Sequence, residues 1–265
     1  MRAVALHADV IAFVSDMWQT TCTAVRGGDE GFVIDSVLYP EELRALPDVL
    51  EQAGFPVSGL LTTHGDWDHL LGRLAFPGAA LGAGEATVAR LGSELGAAQR
   101  DLRAFDQEHY VDGRPPLALG SLQSLPVPGH LEIGEGAAAH ELELHPTGGH
   151  TPDGVAYWLA WARVLIAGDY LSPVEIPMLS PGGSIAVYRA TLQRLQPLVA
   201  QAEWVIPGHG APYAAERALE ILGEDDAYLT TLQDDPGAAT LPAGRATPTQ
   251  RVIHDANLAF VAATG

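Results

Sequence analysis

The first part of the chain consists of short apolar runs rich in β-branched and aromatic residues, separated by glycine, proline and aspartate. This pattern predicts a sheet with a hairpin turn at Gly27–Gly28–Asp29, and its strands are expected at residues 10–16, 21–28 and 31–37. Pro40 predicts the start of a helix and Pro47–Asp48 a second start, with Gly54 as the stop. Residues 57–64 then predict a buried strand that ends in a polar loop.

The later part of the chain repeats this order of strands and helices. Residues 85–109 are mostly helix formers and predict a helix with a continuation. Repeated apolar runs from Leu117 to Ala167 predict a second set of strands. Apolar residues then recur at helical spacing over 188–199, and residues 202–210 predict a strand that ends in a polar turn.

The C-terminal part predicts helices. They are expected at residues 213–233 and 248–262, the second with Thr247 as its N-cap. Residues 234–246 are rich in proline, glycine, alanine and aspartate and predict a linker that is too short to separate domains. We therefore expect a single domain over residues 1–265, with its C-terminal helices from about residue 213.

The charged residues exclude several classes of function. The chain has 33 acidic residues against 14 basic ones, which gives a net charge of −19, and every basic residue is an arginine. The lack of lysine excludes Schiff-base chemistry and a P-loop, and the acidic balance argues against a nucleic-acid partner. No apolar run is long enough for a membrane span, and the single Cys22 permits no intrachain disulfide. Because the N-terminus does not resemble a signal peptide, we expect a cytoplasmic protein.

Histidine and aspartate stand at the ends of four apolar runs. A loop at the end of a strand exposes side chains while the sheet fixes their positions. Imidazole nitrogens and carboxylate oxygens are ligands of zinc and of neighbouring divalent metals, and a set of this size suits two ions. The candidates are His64, Asp66, Asp68 and His69 in THGDWDH, His150 in GGHTPD, Asp169 in AGDY and His209 in PGHG.

Each isolated candidate also has an ordinary explanation. His150 or His209 alone would more often be a hydrogen-bonded histidine, and Asp169 after a glycine would more often cap a turn. Turn chemistry alone does not account for two histidines and two aspartates within residues 64–69. The combination therefore favours a metal site.

The order of these motifs resembles the metallo-β-lactamase superfamily, in which His-x-His-x-Asp-His is followed by a separate His, then Asp, then His. The resemblance extends from about residue 10 to residue 215 and implies an α/β (α+β) fold, a four-layer αββα sandwich of two mixed β-sheets flanked by helices. It also implies two divalent metal ions, with Asp169 as the bridging carboxylate. The implied ligands are His64, Asp66 and His150 for the first ion, and Asp68, His69 and His209 for the second.

The sequence departs from the family pattern at one position, where Asp66 stands in place of the usual second histidine. A carboxylate still ligates. With Asp66, Asp68 and Asp169 ionised, however, the charges of two divalent ions and one hydroxide are cancelled, whereas the usual pattern leaves a net positive charge. We expect this to raise the pKa of the bridging water and to shift the preference from Zn²⁺, the leading candidate, towards Mn²⁺ or Fe²⁺.

The resemblance implies hydrolysis by a hydroxide held between the two ions, with Asp68 orienting it and passing a proton to the leaving group. The short intervals between His150, Asp169 and His209 leave no room for the domain that nucleic-acid-cleaving members insert there. We therefore expect a small-molecule substrate with an ester, lactone, thioester or related bond, and neither a nucleic-acid nor a membrane partner.

Candidates for the substrate pocket come from the segment after Asp169, which begins at a ligand and should overhang the site. They are Met178, Tyr188 and Arg189, and Trp67 within the metal loop is a fourth. Each has an ordinary alternative, since Tyr188 fits the apolar stripe of its helix and Arg189 fits a solvated surface charge. Met178 and Trp67 are equally suited to packing.

Three other classes stay open. A mononuclear iron oxygenase of the persulfide dioxygenase type would bind one iron and consume oxygen, but the complete second set of ligands argues against it. A flavodiiron-like redox site carries a carboxylate at the place of Asp66, although we expect too little chain after His209 for a flavodoxin-like domain. A non-catalytic binding module would have no reason to keep every ligand position.

Overall fold

The strands form two separate sheets that follow the two predicted sets with one exception: the strand Leu122–Leu125 lies in the second predicted set but pairs in the first sheet. The computed structural model describes residues 1–264. In the first sheet, seven strands lie side by side in sequence order, antiparallel from β1 to β4 and parallel from β4 to β7. They are β1 (Arg2–His7), β2 (Val10–Val14), β3 (Thr21–Gly27), β4 (Glu30–Asp35), β5 (Gly59–Leu61), β6 (Ala80–Gly84) and β7 (Leu122–Leu125).

The second sheet comes from the later part of the chain. Its six strands have the order β13-β12-β11-β10-β9-β8, and neighbours are antiparallel except for the parallel pair β11 and β12. They are β8 (Gly129–Ile133), β9 (His140–Thr147), β10 (Gly154–Leu159), β11 (Val164–Gly168), β12 (Trp204–Pro207) and β13 (Tyr213–Ala214).

Helices cover the outer face of each sheet and complete the αββα sandwich, which confirms the expected fold class. None of the helices within residues 1–264 is both long and apolar enough to cross a membrane. The first sheet carries α1 (Pro40–Gln52), α2 (Gly72–Ala75), α3 (Glu85–Ser93) and α4 (Ala97–Glu108), and the second carries α5 (Ile185–Val199), α6 (Ala215–Asp234) and α7 (Pro248–Thr264).

Three apolar cores hold the four layers together. Between the sheets, Ile34 and Leu61 of the first sheet belong to one cluster with Val155 and Tyr157 of the second. Two further cores lie between each sheet and its helices. Because both faces of each sheet are covered, strands β10 and β11 are buried at almost every position, which explains their continuous apolar sequence.

Several elements differ from the pattern-based expectation, among them β6, which no sequence pattern predicted. The predicted second helix start at Pro47 is wrong, since α1 continues through it. Proline inside a helix removes one hydrogen bond and its ring crowds the preceding turn, but the buried Leu46 and Leu50 stabilise the helix on both sides of it. The structure also adds β1 in front of the first predicted strand.

The predicted linker at residues 234–246 is a fixed part of the structure. Arg245 has no exposed surface and donates to the carbonyl oxygens of Ser172 and Glu175, and it also pairs with Asp225. A guanidinium has five N–H donors and can bind several acceptors at once. This segment is thereby attached to the loop that follows β11.

The strand ends that carry the histidines and aspartates meet at one edge of the sandwich. The pairs β4/β5 and β11/β12 are parallel, so their carboxyl ends point the same way. At this edge the backbones of Thr20 and His209 pair in an isolated antiparallel β-bridge. The Thr21 amide also donates to the carbonyl oxygen of Gly208 at 2.8 Å. The two sheets are thus joined where the candidate ligands lie.

Candidate metal centre

Side chains from four loops converge at this edge. His64 follows β5, a 3-10 turn places Trp67–His69 directly after it, and His150, Asp169 and His209 follow β9, β11 and β12. Their ligand atoms form three overlapping groups in which all atoms lie within 4.8 Å of one another. The groups are His64, Asp66 and His150; His64, His69 and Asp169; and Asp68, His69 and His209.

The first group surrounds one oxygen of Asp66. Asp66 Oδ2 lies 3.6 Å from His64 Nε2 and 3.5 Å from His150 Nε2. These separations exceed hydrogen-bond length and match those of ligand atoms on one ion, since metal–ligand bonds of about 2.0–2.2 Å place neighbouring ligands at such distances. The group therefore has the shape of a three-ligand site.

The group of Asp68, His69 and His209 surrounds one oxygen of Asp68. Asp169 lies between this group and that of Asp66. Asp68 Oδ2 is 3.4 Å from His209 Nε2 and 3.7 Å from His69 Nε2. Asp169 Oδ1 is 3.1 Å from His69 Nε2, while its Oδ2 is 3.3 Å from His150 Nε2. Asp169 Oδ2 is also 3.6 Å from His209 Nε2, so this carboxylate contacts histidines of both groups, as a carboxylate shared between two ions would.

Three of the four histidines turn Nε2 towards the centre because a backbone carbonyl or a carboxylate holds Nδ1. His150 Nδ1 donates to the carbonyl oxygen of Met178 at 2.9 Å, and His69 Nδ1 lies 3.1 Å from Asp35 Oδ2. His209 Nδ1 faces the Trp18 carbonyl oxygen at 3.3 Å. Carbonyl oxygens accept hydrogen bonds, so at His150 and His209 they place the proton on Nδ1 and leave the Nε2 lone pair for a ligand, whereas the contact of His69 Nδ1 with Asp35 is an ion-pair distance without hydrogen-bond geometry.

Several atoms at the centre are buried without a hydrogen-bond partner. Buried polar atoms in proteins almost always have one, and exceptions point to a missing ion or ligand. Here the unpartnered atoms all face the same space, and imidazole nitrogens with carboxylate oxygens are the donor set of Zn²⁺, Fe²⁺ and Mn²⁺. They are His64 Nε2, His69 Nε2, His150 Nε2 and Asp169 Oδ1. The residues therefore fit divalent metal ions.

Burial and neighbouring charge act in opposite directions on the histidines. Burial alone would lower the pKa of His69 and His150, but nearby carboxylates, Asp169 above all, raise it well above the usual range. Burial also opposes the shift at His209, where Glu175 and Asp169 raise the pKa to about 10. The centre thus attracts positive charge strongly, whether protons or metal ions.

Asp35 is a site residue that the sequence analysis missed. It ends β4 with a positive φ of 59°, a conformation that aspartate tolerates better than most residues. Its carboxylate accepts from the Thr63 amide at 2.7 Å and from the Thr63 hydroxyl at 2.9 Å, and it also holds His69. An aspartate that closes an apolar strand was the available signal, the same one that pointed to Asp169.

Arg90 and Asp153 are two further missed residues. Arg90 lies near the end of α3 and donates to both Asp66 and Asp153, at 2.7 and 2.8 Å. Asp153 also accepts from the Gly65 amide at 2.9 Å. Burial would raise the pKa of Asp66, but contacts with His150 and His64 hold it well below its usual range. No sequence signal pairs residues this far apart, because the contact depends on how α3 packs.

The four predicted pocket residues have different surroundings in the structure. Trp67 packs edge-on against Trp18, with ring centroids 5.9 Å apart, and also lines a cleft of about 420 Å³ beside Asp66; its role in substrate binding stays a prediction. The Met178 carbonyl holds His150, as described above. The fully buried Tyr188 donates to the Asp169 carbonyl oxygen at 3.2 Å.

Arg189 does not join the cluster, and its prediction as a pocket residue requires correction. Its guanidinium pairs with Asp226 of α6, with Nε 2.7 Å from Oδ1. On α5 it directly follows Tyr188, and successive residues of a helix point about 100° apart, so burial of Tyr188 turns Arg189 towards the neighbouring helix. Arg189 therefore matches the alternative given for it, a solvated surface charge.

Several solved structures share this fold. A metallo-β-lactamase family protein of Thermus thermophilus, TTHA1429, is 23% identical with a TM-score of 0.64, over 86% of this chain and 83% of that one. TTHA1623 in a di-iron-bound form is 20% identical with a TM-score of 0.61, over 79% and 97%. A sec-alkylsulfatase, Pisa1 from Pseudomonas sp., is 15% identical with a TM-score of 0.66, over 88% of this chain and 42% of that one.

At these identities the structural likeness demonstrates the fold alone. No functionally curated protein matches the chain. The sequence model of the metallo-beta-lactamase superfamily matches residues 15–209, which include every member of the three ligand groups. The chain therefore belongs to the metallo-β-lactamase superfamily.

Proposed function

We propose that this chain is a metal-dependent hydrolase that holds two divalent ions and cleaves an ester, lactone, thioester or related bond in a small molecule. The observation that carries the proposal is the pair of ligand groups joined by Asp169, with unpartnered Nε2 atoms directed into both. Membership of a superfamily that includes β-lactamases supports the hydrolytic class.

His64, Asp66 and His150 would hold one ion, and Asp68, His69 and His209 the other, with Asp169 between them. When bound, such ions supply Lewis-acid activation of water and of the bond to be cleaved. Zn²⁺ suits this donor set, and Fe²⁺ or Mn²⁺ stays an alternative because Asp66 adds an oxygen donor. We assign Asp68 a second role, which is to accept a proton from the attacking water and return it to the leaving group.

A small substrate is consistent with the cleft beside Asp66. Its volume of about 420 Å³ lies within the range of about 300–1,000 Å³ that is typical of small-molecule sites. Trp67 and Leu91 give it apolar surface, and Arg90 and Asp101 contribute polar groups. A substrate in this cleft would lie next to Asp66, on the open side of the ligand cluster.

The test combines metal content with turnover. Protein purified without chelator or an affinity metal is analysed by elemental mass spectrometry and assayed on lactones, esters, thioesters and phosphoesters. We expect two metal equivalents per chain, loss of activity after chelation and recovery on adding the metal back. Asp169→Asn, which removes a charge between the groups, should bind less metal and lose turnover in parallel.

Other outcomes would contradict the proposal in distinct ways. A single iron per chain with oxygen consumption on a sulfur substrate would replace the hydrolase with an oxygenase. Metal binding without turnover on the whole panel would favour a binding module. Hydrolysis that survives complete metal removal would show that the cluster does not carry the reaction.

A further inference from the structure

Asp66 accepts a hydrogen bond from Arg90 of helix α3, on the side away from the two histidines. Arg90 lies in the last turn of α3, and its Nη2 donates to Asp66 Oδ1 at 2.7 Å. Its Nη1 donates to Asp153 Oδ1 at 2.8 Å. One planar guanidinium thus connects two carboxylates on two ligand-bearing loops, a geometry that suits the rigid fork of arginine and not the ammonium of lysine.

The two oxygens of Asp66 face different partners. Oδ1 accepts from Arg90, whereas Oδ2 lies 3.6 Å from His64 Nε2 and 3.5 Å from His150 Nε2. Asp66 therefore offers a single oxygen to the space between the two histidines. A histidine at this position would offer a single nitrogen in the same way.

Arg90 also balances charge. An aspartate in place of a neutral histidine adds one negative charge to the group, and Arg90 brings one positive charge into direct contact with it, which it shares with Asp153 at 2.8 Å and which therefore offsets the added charge in part. Both side chains are 21% exposed, so water screens their attraction only in part. Asp153 fixes the far side of the guanidinium, and it is itself anchored by the Gly65 amide, next to Asp66 in the chain.

We propose that Arg90 is a positioning residue for metal binding, which makes Asp66 a one-oxygen ligand with partly compensated charge and so allows aspartate to stand where the family motif has histidine. The inference rests on the metal-binding part of the proposed function and not on the identity of the hydrolysed bond. Arg90 acts through Asp66.

A double-mutant cycle in metal affinity tests this role. The full chain, Arg90→Gln, Asp66→His and the double variant are titrated with Zn²⁺ and Co²⁺ against a competing chelator, and the Co²⁺ absorption spectrum reports ligand geometry without turnover. We expect Arg90→Gln to weaken one of two metal equivalents by about 10–100-fold. In the Asp66→His background the same change should leave affinity within about 2-fold.

The cycle separates a positioning role from a purely structural one. Replacing Arg90 also takes a partner from Asp153, but that loss is common to both backgrounds and cancels. An equal loss of affinity in both backgrounds, or none in the original chain, overturns the proposal. If the original chain binds no metal, the proposed function fails as well. If the original chain binds two metal equivalents and the Arg90→Gln variant binds both as tightly, only the role of Arg90 is refuted.

Arg217→Gln is the matched control. Arg217 of α6 also pairs with two carboxylates, Glu220 at 2.9 Å and Glu224 at 2.7 Å, and it belongs to none of the ligand groups. Its replacement should leave both metal affinities unchanged. Where Arg90→Gln does not fold, Arg90→Lys keeps the charge and loses the fork; affinity equal to the original would refute positioning, whereas a loss confined to one equivalent would support it.

Discussion

Asp68 shows how a single residue of the centre is fixed before any substrate arrives. Its side chain is only 9% exposed, and its carbonyl oxygen accepts from the Ser36 hydroxyl at 2.7 Å. The 3-10 turn aligns its carboxylate with His209 on one side and His69 on the other. The backbone of Asp68 is thereby fixed and its carboxylate lies between the two histidines, which is the position that its proposed role requires.

Replacing Asp68 therefore tests its assigned role. We expect Asp68→Asn to keep the fold and lower kcat by about 10²–10⁴-fold, the usual contribution of a general acid–base group. Steady-state kinetics on any established substrate measures it. Asp48→Ala, which removes an exposed carboxylate on α1, should have no effect. Near-original turnover in Asp68→Asn would refute the role.

The histidines predict a pH dependence of metal binding. Carboxylates raise the pKa of His69 and His150 well above the usual range and that of His209 to about 10, so these rings carry protons near pH 7 when no metal is bound. Metal must displace those protons. Affinity should therefore rise with pH at every pH below about 10, the raised pKa of His209, and level off above it. Calorimetry in buffers of different ionisation enthalpy should show proton release, and affinity that is flat with pH would contradict this.

At the scale of elements, helix α7 fixes the loop at residues 176–179, which lies beside the candidate metal centre. Asn257 has no exposed surface; its Oδ1 accepts from the Leu179 amide at 3.0 Å and its Nδ2 donates to the Pro177 carbonyl at 2.7 Å. These two contacts flank Met178, whose carbonyl holds His150. Gln250, also on α7, accepts from the Ile176 amide at 2.7 Å. A helix outside the part matched by the family model thus fixes the backbone behind a candidate ligand.

Removing this contact should be costly. Asn257→Leu leaves two buried backbone groups without partners, and at about 1–3 kcal/mol for each we expect the free energy of unfolding to fall by about 2–6 kcal/mol. Urea unfolding with an unchanged m-value measures it. Val252→Ala, a 69% exposed position on the same helix, should stay within about 0.5 kcal/mol. A loss no larger than this control would show that α7 does not hold the loop.

For the whole molecule, the centre connects the two sheets. His64, Asp68 and His69 follow strands of the first sheet, while His150, Asp169 and His209 follow strands of the second. These residues are far apart along the chain, so an unfolded chain offers no equivalent site. Ions bound there would stabilise the packing of one sheet on the other, because they bind the folded chain and not the unfolded one.

Metal removal should therefore lower thermal stability. With free metal at about 100 times Kd, each bound ion contributes about 2.7 kcal/mol, which for a chain of this size corresponds to roughly 5–10 °C in Tm for each ion. Thermal unfolding before and after chelation, and after metal is restored, measures it. Asp169→Asn provides the control, since a protein that binds metal poorly should respond little to chelator. An unchanged Tm in the original chain would argue that the ions do not join the sheets.

Much of the fold was predictable because its signals are local. Apolar runs bounded by glycine and aspartate located β2 to β5 and the strands between Leu117 and Ala167, and the helical spacing of Tyr188 and Leu192 located α5. Pro47 misled because tertiary burial outweighs the loss of one hydrogen bond. Residues 234–246 misled because the partners of Arg245 lie on other elements.

The sequence by itself determined which side chains are available as metal ligands, that each follows an apolar strand, and through the family motif the order of the sandwich. Only the tertiary structure decided how they are presented. Asp35, Arg90, Met178 and Asn257 orient or balance the candidate ligands from distant positions in the chain. The physical reason is that ligand identity is a property of single residues, whereas orientation and charge compensation depend on contacts that exist only once sheets and helices have packed.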